Sequence, residues 1–141
     1  MDSEENMCNN IFKASVFSGK KEGEFFVSIY AKNFEIALGF IPYPGTLNAK
    51  LLSNFEEFDQ CILKTKSIVV DPPKIPGMKL GKVIAYPIFL FNSIKVYVVR
   101  PEITIYRKDI VEIISDKKLR DELNLVDGSI IDISLQEEEL L

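Results

Sequence analysis

Short β-prone runs, each ended by glycine, proline or other turn residues, dominate the sequence between residues 11 and 135. Runs this short are typical of a small all-β domain, whereas a doubly wound sheet needs more helix than this chain offers. The chain has 141 residues, which fits a single domain. We therefore expect a compact β-barrel. The predicted strands are Ile11–Phe17, Phe25–Tyr30, Thr46–Leu51, Cys61–Val70, Lys82–Phe91, Ile94–Val99 and Ser129–Leu135, with Ile110–Ile114 as a further strand or a short apolar turn.

Helix is predicted in two short segments only. A helical turn is expected at Phe34–Leu38, and Lys117–Leu125 has leucines at helical spacing. The proline-rich segment Asp71–Gly77 is expected to be a loop, Asn92-Ser93 the tight connection of a hairpin, and Asp127-Gly128 a turn.

The two ends of the chain differ in charge from its body. Residues 1–10 are predicted to be a disordered acidic leader, residues 11–135 the folded domain, and residues 136–141 a frayed acidic tail. The net charge is −4, but without the acidic residues at both ends residues 11–136 carry +2. A nearly neutral body argues against nucleic acid as a partner.

The sequence contains no histidine, so Ser-His-Asp and Cys-His nucleophile pairs and HExxH zinc sites are excluded. Its two cysteines, Cys8 and Cys61, form no CxxC motif, and their number is typical of a reducing compartment. No apolar run reaches the ~18 residues of a membrane span, and the acidic first residues do not resemble a secretion signal. We expect a cytoplasmic protein without membrane contact.

Thr46 and Asn48 lie two residues apart at the start of a predicted strand, so their side chains should share one face. A hydroxyl and an amide oxygen side by side suit Mg²⁺ that also carries phosphate oxygens and water. The alternative is that both side chains finish a turn by bonding to nearby backbone, and spacing alone favours that interpretation.

Two basic segments offer candidate anion sites. Ser115 or Asp116 is a natural helix N-cap, which would place Lys117 and Lys118 in the first helical turn against the helix dipole unless an anion binds there. The alternative is a solvated basic face. The loop Gly19-Lys20-Lys21-Glu22-Gly23 joins two predicted strands and either approaches a phosphate or is a lysine-rich hairpin tip.

Thr104 and two carboxylates, Asp109 and Glu112, follow the run that ends at Arg100-Pro101. Glu112 is flanked by apolar residues, so its carboxylate either faces outward or lies in a pocket as a hydrogen-bond acceptor or base. Composition alone favours the outward orientation. The sequence contains no Walker-type GxxxxGK[ST] loop and no protein-kinase motif set.

Together these segments resemble the archaeal CTP-dependent riboflavin kinase family over nearly the whole body, from about Phe12 to Ser134. The most specific stretch is Leu38–Asn48 (LGFIPYPGTLN), similar to the family's G-F-x-P-Y-x-G-T-L-N. Three more segments match in order: the loop Ser18–Phe25, Ile110–Ile114 followed by Lys118-Leu119-Arg120, and Asn124-Leu125-x-Asp127-Gly128. In the loop, where the family reads G-L-G-E-G, this chain carries Lys21 in place of a glycine.

The resemblance implies a six-stranded cradle-loop barrel that transfers the γ-phosphate of CTP to the 5′-hydroxyl of riboflavin, giving FMN and CDP, with Mg²⁺ as cofactor. It implies that Thr46 and Asn48 ligate Mg²⁺ and that Thr104 and Glu112 contact the flavin. Glu112, or alternatively Asp109, is the candidate base, and a monomer is expected. The residues that it assigns to the nucleotide are Lys20, Lys21, Glu22, Gly23, Glu24, Phe25, Lys117, Lys118, Leu119 and Arg120.

Two other functions are compatible with the pattern. A strand, a short helix, an Asp-Gly turn and a strand also end the swapped-hairpin transcription factors, so the chain could be a non-catalytic barrel that binds DNA or a nucleotide. A kinase for a different small alcohol is the second alternative.

Overall fold

The computed structural model describes residues 8–19, 22–102 and 107–135. Strands predominate in this part of the chain, and the helices lie between them. Along the chain the elements are β1 (Phe12–Phe17), α1 (Glu22–Leu38), β2 (Leu47–Leu51), α2 (Phe55–Ile62), β3 (Ile68–Val70), β4 (Val83–Leu90), β5 (Ile94–Pro101), β6 (Ile110–Ile114), α3 (Leu119–Glu122) and β7 (Ile130–Ser134).

Six of these strands close into an antiparallel barrel in the order β4-β5-β6-β2-β1-β7. The ring closes because β7 pairs with β4 through Phe89–Ser134 and Leu90–Ile133. The short strand β3 pairs with the first residues of β4 on the same edge as β7, because β5 occupies the whole of the opposite edge. Closure leaves no unpaired edge around the ring, which is how barrels satisfy their backbone hydrogen bonds. The predicted six-stranded barrel is therefore confirmed.

The barrel interior is filled by alternate residues of the strands, as the period-two pattern requires. Aliphatic side chains such as Val16, Val98 and Ile131 are almost fully buried there. Helix α2 covers part of this core, and its Phe58 ring meets Phe12 edge-to-face with ring centroids 5.2 Å apart.

Helix α1 packs on the outside of the barrel and makes a second core. Its Val27, Tyr30 and Phe34 contact the outward-facing side chains of β3 to β6. The Tyr30 hydroxyl donates a hydrogen bond to the Gly81 carbonyl at 2.7 Å, and burial raises the pKa of this phenol. The helix thereby holds residues 22–24 at one end of the barrel, where the candidate site lies.

Two predicted strands are wrong. Phe25–Tyr30 belongs to α1, which also absorbs the predicted turn at Phe34–Leu38. Most of Cys61–Val70 is not strand, because the chain forms α2 up to Ile62 and becomes extended only at Ile68. In α1, β-prone residues recur at helical spacing toward a buried face, and packing of that face decides the conformation. In the second segment, Cys61 and Ile62 end α2 and residues 63–67 form a turn.

Cys8 and Cys61 are joined by a disulfide, with their Cα atoms 5.3 Å apart. The sequence indicated no pairing, and a disulfide is not the state expected for a reducing compartment. Cys8, assigned to the leader by the sequence, is half-buried and packs against the barrel core. The predictions for residues 1–7 and 136–141 lie outside the described residues. Among the helices that the structure describes, none has the length and apolar character needed to cross a membrane.

Candidate active site

A cleft of about 430 Å³ opens at one end of the barrel. It lies where β1 and β6 end, where β2 and α1 begin, and beside the segment that leads into α3. The segments that form it are far apart in sequence and are brought together by closure of the barrel. Its lining residues are Phe17, Ser18, Gly19, Gly23, Glu24, Tyr43, Pro44, Gly45, Thr46, Leu47, Asn48, Ile113, Ser115, Lys117, Lys118, Leu119 and Arg120.

Thr46 and Asn48 are neighbours in this cleft. Both side chains are half-buried, and the Thr46 hydroxyl donates to Asn48 Oδ1 at 3.2 Å. Adjacent ligands of an octahedral Mg²⁺ with bonds of about 2.1 Å lie about 3 Å apart, so the spacing of these two oxygens fits that ion. Across the described residues no group of three or more His, Cys, Asp or Glu is positioned to hold a metal. A cation at this neutral pair would therefore depend on phosphate oxygens and water for its other ligands.

Gly19 and Gly23 pack directly against these two side chains. A Cβ atom at Gly23 would come within 2.5 Å of Thr46 Oγ1, and one at Gly19 would collide with the Asn48 amide nitrogen. Glycine is thus required at both positions by close approach of the backbone. Gly23 lies in the first turn of α1, so the loop leads from a strand into a helix and is not the hairpin tip that the sequence predicted.

The basic segment also lines the cleft, but its local structure differs from the prediction. Helix α3 begins at Leu119 with Lys118 at the N-cap position, so neither Ser115 nor Asp116 caps it. The Ser115 hydroxyl instead accepts from the Lys117 N–H at 3.3 Å, and the Ser115 carbonyl accepts from the Tyr43 N–H at 2.8 Å. Lys117 and Lys118 therefore precede the helix and do not lie in its first turn, but Lys118 at the N-cap still stands at the positive end of the helix dipole.

A second cavity of about 230 Å³ adjoins β6. Strands β5 and β6 pair at Tyr97–Ile114 and Val98–Ile113. The cavity lies next to these pairs, between the end of β5 and the beginning of β6. Glu112 lines it and faces Asn48 across the β2–β6 ladder, so both side chains are on the same face of the sheet. Asn48 lines the first cleft and Glu112, which is exposed, lines the second cavity, so the two cavities adjoin this pair. The lining residues are Val98, Val99, Arg100, Pro101, Arg107, Ile110 and Glu112.

Asp109 lines neither cavity. Its carboxylate accepts from Arg107 Nη2 at 2.7 Å and from Arg107 Nε at 3.1 Å. These hydrogen bonds hold the pKa of the Asp109 carboxyl below its usual range. A carboxylate whose pKa is held down in this way is a weak base, which argues against Asp109 in that role.

Comparison with known proteins gives the family. A family model for CTP-dependent riboflavin kinases, described as "Domain of unknown function DUF120", matches residues 16–135. The chain belongs to this family. A riboflavin kinase of Aeropyrum pernix is 45% identical over 118 residues, covering 84% of this chain and 89% of that protein. One of Staphylothermus marinus is 41% identical over 127 residues, 90% of this chain and 92% of the relative. A riboflavin kinase of Sulfolobus acidocaldarius is 40% identical over 126 residues, covering 87% of this chain and 79% of that protein.

Most of the described residues that the family resemblance assigns to the nucleotide and the metal meet in the cleft. Gly23, Glu24 and the four residues 117–120 line it together with Thr46 and Asn48. Phe25 is 61% exposed and is not among the lining residues. Lys20, Lys21 and Thr104 lie outside the described residues, and of Glu22 only its position at the start of α1 is described.

Several cleft residues were not predicted as site residues. Ser18, Gly19 and Tyr43 lie inside the motifs that match the family, so those motifs were the available signal. Ser115 reaches the cleft through its hydrogen bond to the Tyr43 backbone, which no local pattern reveals. In the second cavity, Arg107 was likewise not predicted.

Proposed function

We propose that this chain transfers the γ-phosphate of CTP to the 5′-hydroxyl of riboflavin, producing FMN and CDP in a Mg²⁺-dependent reaction. The observation that carries the proposal is the convergence, in one cleft, of the Thr46–Asn48 oxygen pair with glycine backbone and a cationic segment. The relatives named riboflavin kinase support the acceptor, and the name of the family supports CTP as the donor.

The cleft supplies what phosphoryl transfer requires, namely positioning and neutralisation of charge. Thr46 Oγ1 and Asn48 Oδ1 are the residues that would hold Mg²⁺, which when bound screens the phosphate charge. Lys117 and Lys118, in the segment that leads into α3, add positive charge to the cleft. The Lys118 Nζ also lies 3.9 Å from Asp121 Oδ2. Gly19 lines the cleft beside Asn48, so its backbone borders the place where phosphate oxygens would bind.

The second cavity is the proposed flavin site. Most of its lining residues are apolar, among them Val99, Pro101 and Ile110, which suits a planar ring system. Glu112 lines this cavity and pairs with Asn48 across the β2–β6 ladder, which supports a role in orienting the acceptor hydroxyl and taking its proton.

The donor is tested by incubating the protein with riboflavin, Mg²⁺ and CTP, UTP, GTP or ATP in turn, and separating FMN by chromatography. We expect FMN to form fastest with CTP and poorly with ATP. Comparable rates with ATP would remove CTP as the preferred donor, and Lys21 is the first position to examine in that case. If no triphosphate gives FMN, the proposed reaction is wrong.

The basic segment gives a second test of the nucleotide site. We expect Lys117→Ala combined with Lys118→Ala to weaken CDP binding about tenfold, as loss of two charge-assisted contacts implies, while thermal stability stays near that of the wild type. Lys74→Ala with Lys79→Ala is the matched control, because these exposed lysines are not among the cleft-lining residues. Titration calorimetry measures the CDP affinity directly. Equal CDP affinity in both double variants would exclude the basic segment from the site.

The remaining expectations stay predictions. We propose a monomeric cytoplasmic enzyme, although the Cys8–Cys61 disulfide is not the state expected for that compartment. The near-neutral body charge supports the further expectation that the protein does not bind nucleic acid. Loss of FMN formation together with salt-sensitive DNA binding would favour the swapped-hairpin alternative.

A further inference from the structure

Asp127 lies on the turn between α3 and β7 and is not among the cleft-lining residues. The turn is fixed to the barrel by two backbone hydrogen bonds. The Gly128 N–H donates to the Val16 carbonyl at 2.7 Å, and the Val16 N–H donates to the Ser129 carbonyl at 2.8 Å. The carboxylate of Asp127 is therefore presented from a rigid part of the fold.

This carboxylate joins two walls of the cleft that are far apart in sequence. It accepts from the Ser18 hydroxyl at 2.8 and 3.0 Å and from Arg120 Nη2 at 2.8 Å. Ser18 precedes Gly19, whose backbone packs on Asn48, and Arg120 follows the basic pair. The hydrogen bonds from Arg120 and Ser18 lower the pKa of Asp127, so the carboxylate is ionised at neutral pH.

We infer that Asp127 is a positioning residue for the nucleotide, acting through Arg120 and Ser18. A guanidinium has five N–H donors in a rigid fork, so one bond to Asp127 fixes the fork and leaves other donors for phosphate. The bond to Ser18 fixes the backbone that leads into Gly19. This inference rests on the proposed function and adds to it a residue outside the cleft.

The sign of the effect separates positioning from simple electrostatics. A carboxylate near a polyphosphate repels it, so removing that charge should tighten nucleotide binding if Asp127 acts only through its field. If Asp127 instead positions Arg120 and Ser18, removing its carboxylate should weaken nucleotide binding. Asp127→Asn keeps an oxygen acceptor for Ser18 and Arg120 and should therefore resemble the wild type more closely than Asp127→Ala does.

The test compares steady-state kinetics of Asp127→Ala, Asp127→Asn and the control Asp132→Ala. Asp132 forms a similar exposed ion pair with Lys13 at 2.8 Å and does not line the cleft. We expect Asp127→Ala to raise the KM for CTP about fivefold, as for an exposed charge-assisted bond, with kcat and the riboflavin KM changed less than about twofold. Asp127→Asn should show a smaller rise, and the control none. A lowered KM, an unchanged KM, or an equal rise in the control would overturn the inference.

Amide hydrogen exchange on the nucleotide-free protein tests the same claim without turnover. We expect the Val16, Leu125 and Gly128 amides, which are hydrogen-bonded beside this link, to exchange faster in Asp127→Ala than in Asp132→Ala, because the link between the two walls is lost. Unchanged exchange would overturn the positioning role whatever the kinetics. If the wild type makes no FMN, the proposed function fails, while faster exchange would still support the structural link.

Discussion

Gly23→Ala should separate stability from function, because turnover should fall while the melting temperature hardly changes. Gly23 lies in the first turn of α1, where alanine is favoured over glycine by up to about 1 kcal/mol. The new Cβ would lie 2.5 Å from Thr46 Oγ1, whereas Cβ atoms essentially never approach a neighbour closer than 3.0 Å. The Thr46 hydroxyl must therefore move by at least about 0.5 Å, which near-ideal Mg²⁺ geometry does not tolerate.

We expect Gly23→Ala to melt within about 3 °C of the wild type, while turnover falls about 10- to 100-fold and the Mg²⁺ requirement rises. Ser28→Ala, an exposed substitution on the same helix, controls for helix propensity. Differential scanning calorimetry and FMN formation across a Mg²⁺ titration give the two readouts. Normal turnover at the usual Mg²⁺ concentration would refute the reasoning, since Thr46 would then not need its present position.

Three further predictions concern the metal pair, the disulfide and acid stability. Thr46→Val should raise the Mg²⁺ requirement for turnover without lowering the melting temperature, whereas a turn-forming role predicts the reverse. Cys8→Ser should lower the free energy of unfolding by about 4 kcal/mol, because the bond to Cys61 spans 53 residues. Urea titration measures this loss, and a wild-type free energy of unfolding that does not change when reductant is added would contradict the prediction. The lowered pKa of Asp109 stabilises the fold above about pH 4, and this contribution disappears as pH falls through the folded-state pKa. The wild type should therefore melt at a higher temperature than Asp109→Asn at pH 7, and the two melting temperatures should be equal near pH 2.

The barrel strands were predictable because one face of each is buried. In β7, Ile131 and Ile133 are fully buried while Asp132 between them is partly exposed, which is the alternation read from the sequence. The same period placed Thr46 and Asn48 on one face, and their hydrogen bond agrees with it. Such features depend on neighbours in sequence, so a local pattern is sufficient to find them.

The helices α1 and α2 were missed for the opposite reason. The run Phe25–Tyr30 is rich in aromatic and β-branched residues, and its helical period appears only when Val27 and Tyr30 are read together with Phe34. What selects helix is the apolar outer face of β3 to β6, formed by strands from later in the chain. Tertiary packing of this kind overrides local propensity.

The assembly of the site was also beyond local reasoning. Gly19 is held against Asn48 because β1 pairs with β2, with Phe17 opposite Asn48. Asp127 reaches Ser18 across 109 residues of sequence. The motif resemblance indicated which segments belong together, but only the closed barrel gives the contacts between them.

The central claim is that the cleft binds a metal–nucleotide complex at Thr46 and Asn48. Mn²⁺ prefers the same oxygen ligands as Mg²⁺ and broadens the NMR signals of nearby amides. Titrating Mn²⁺ into ¹⁵N-labelled protein saturated with CDP should erase the Gly19, Gly23, Thr46 and Asn48 signals first, and should leave Val69, on the exposed strand β3, unchanged. Broadening centred elsewhere, or none at these four residues, would contradict the assignment.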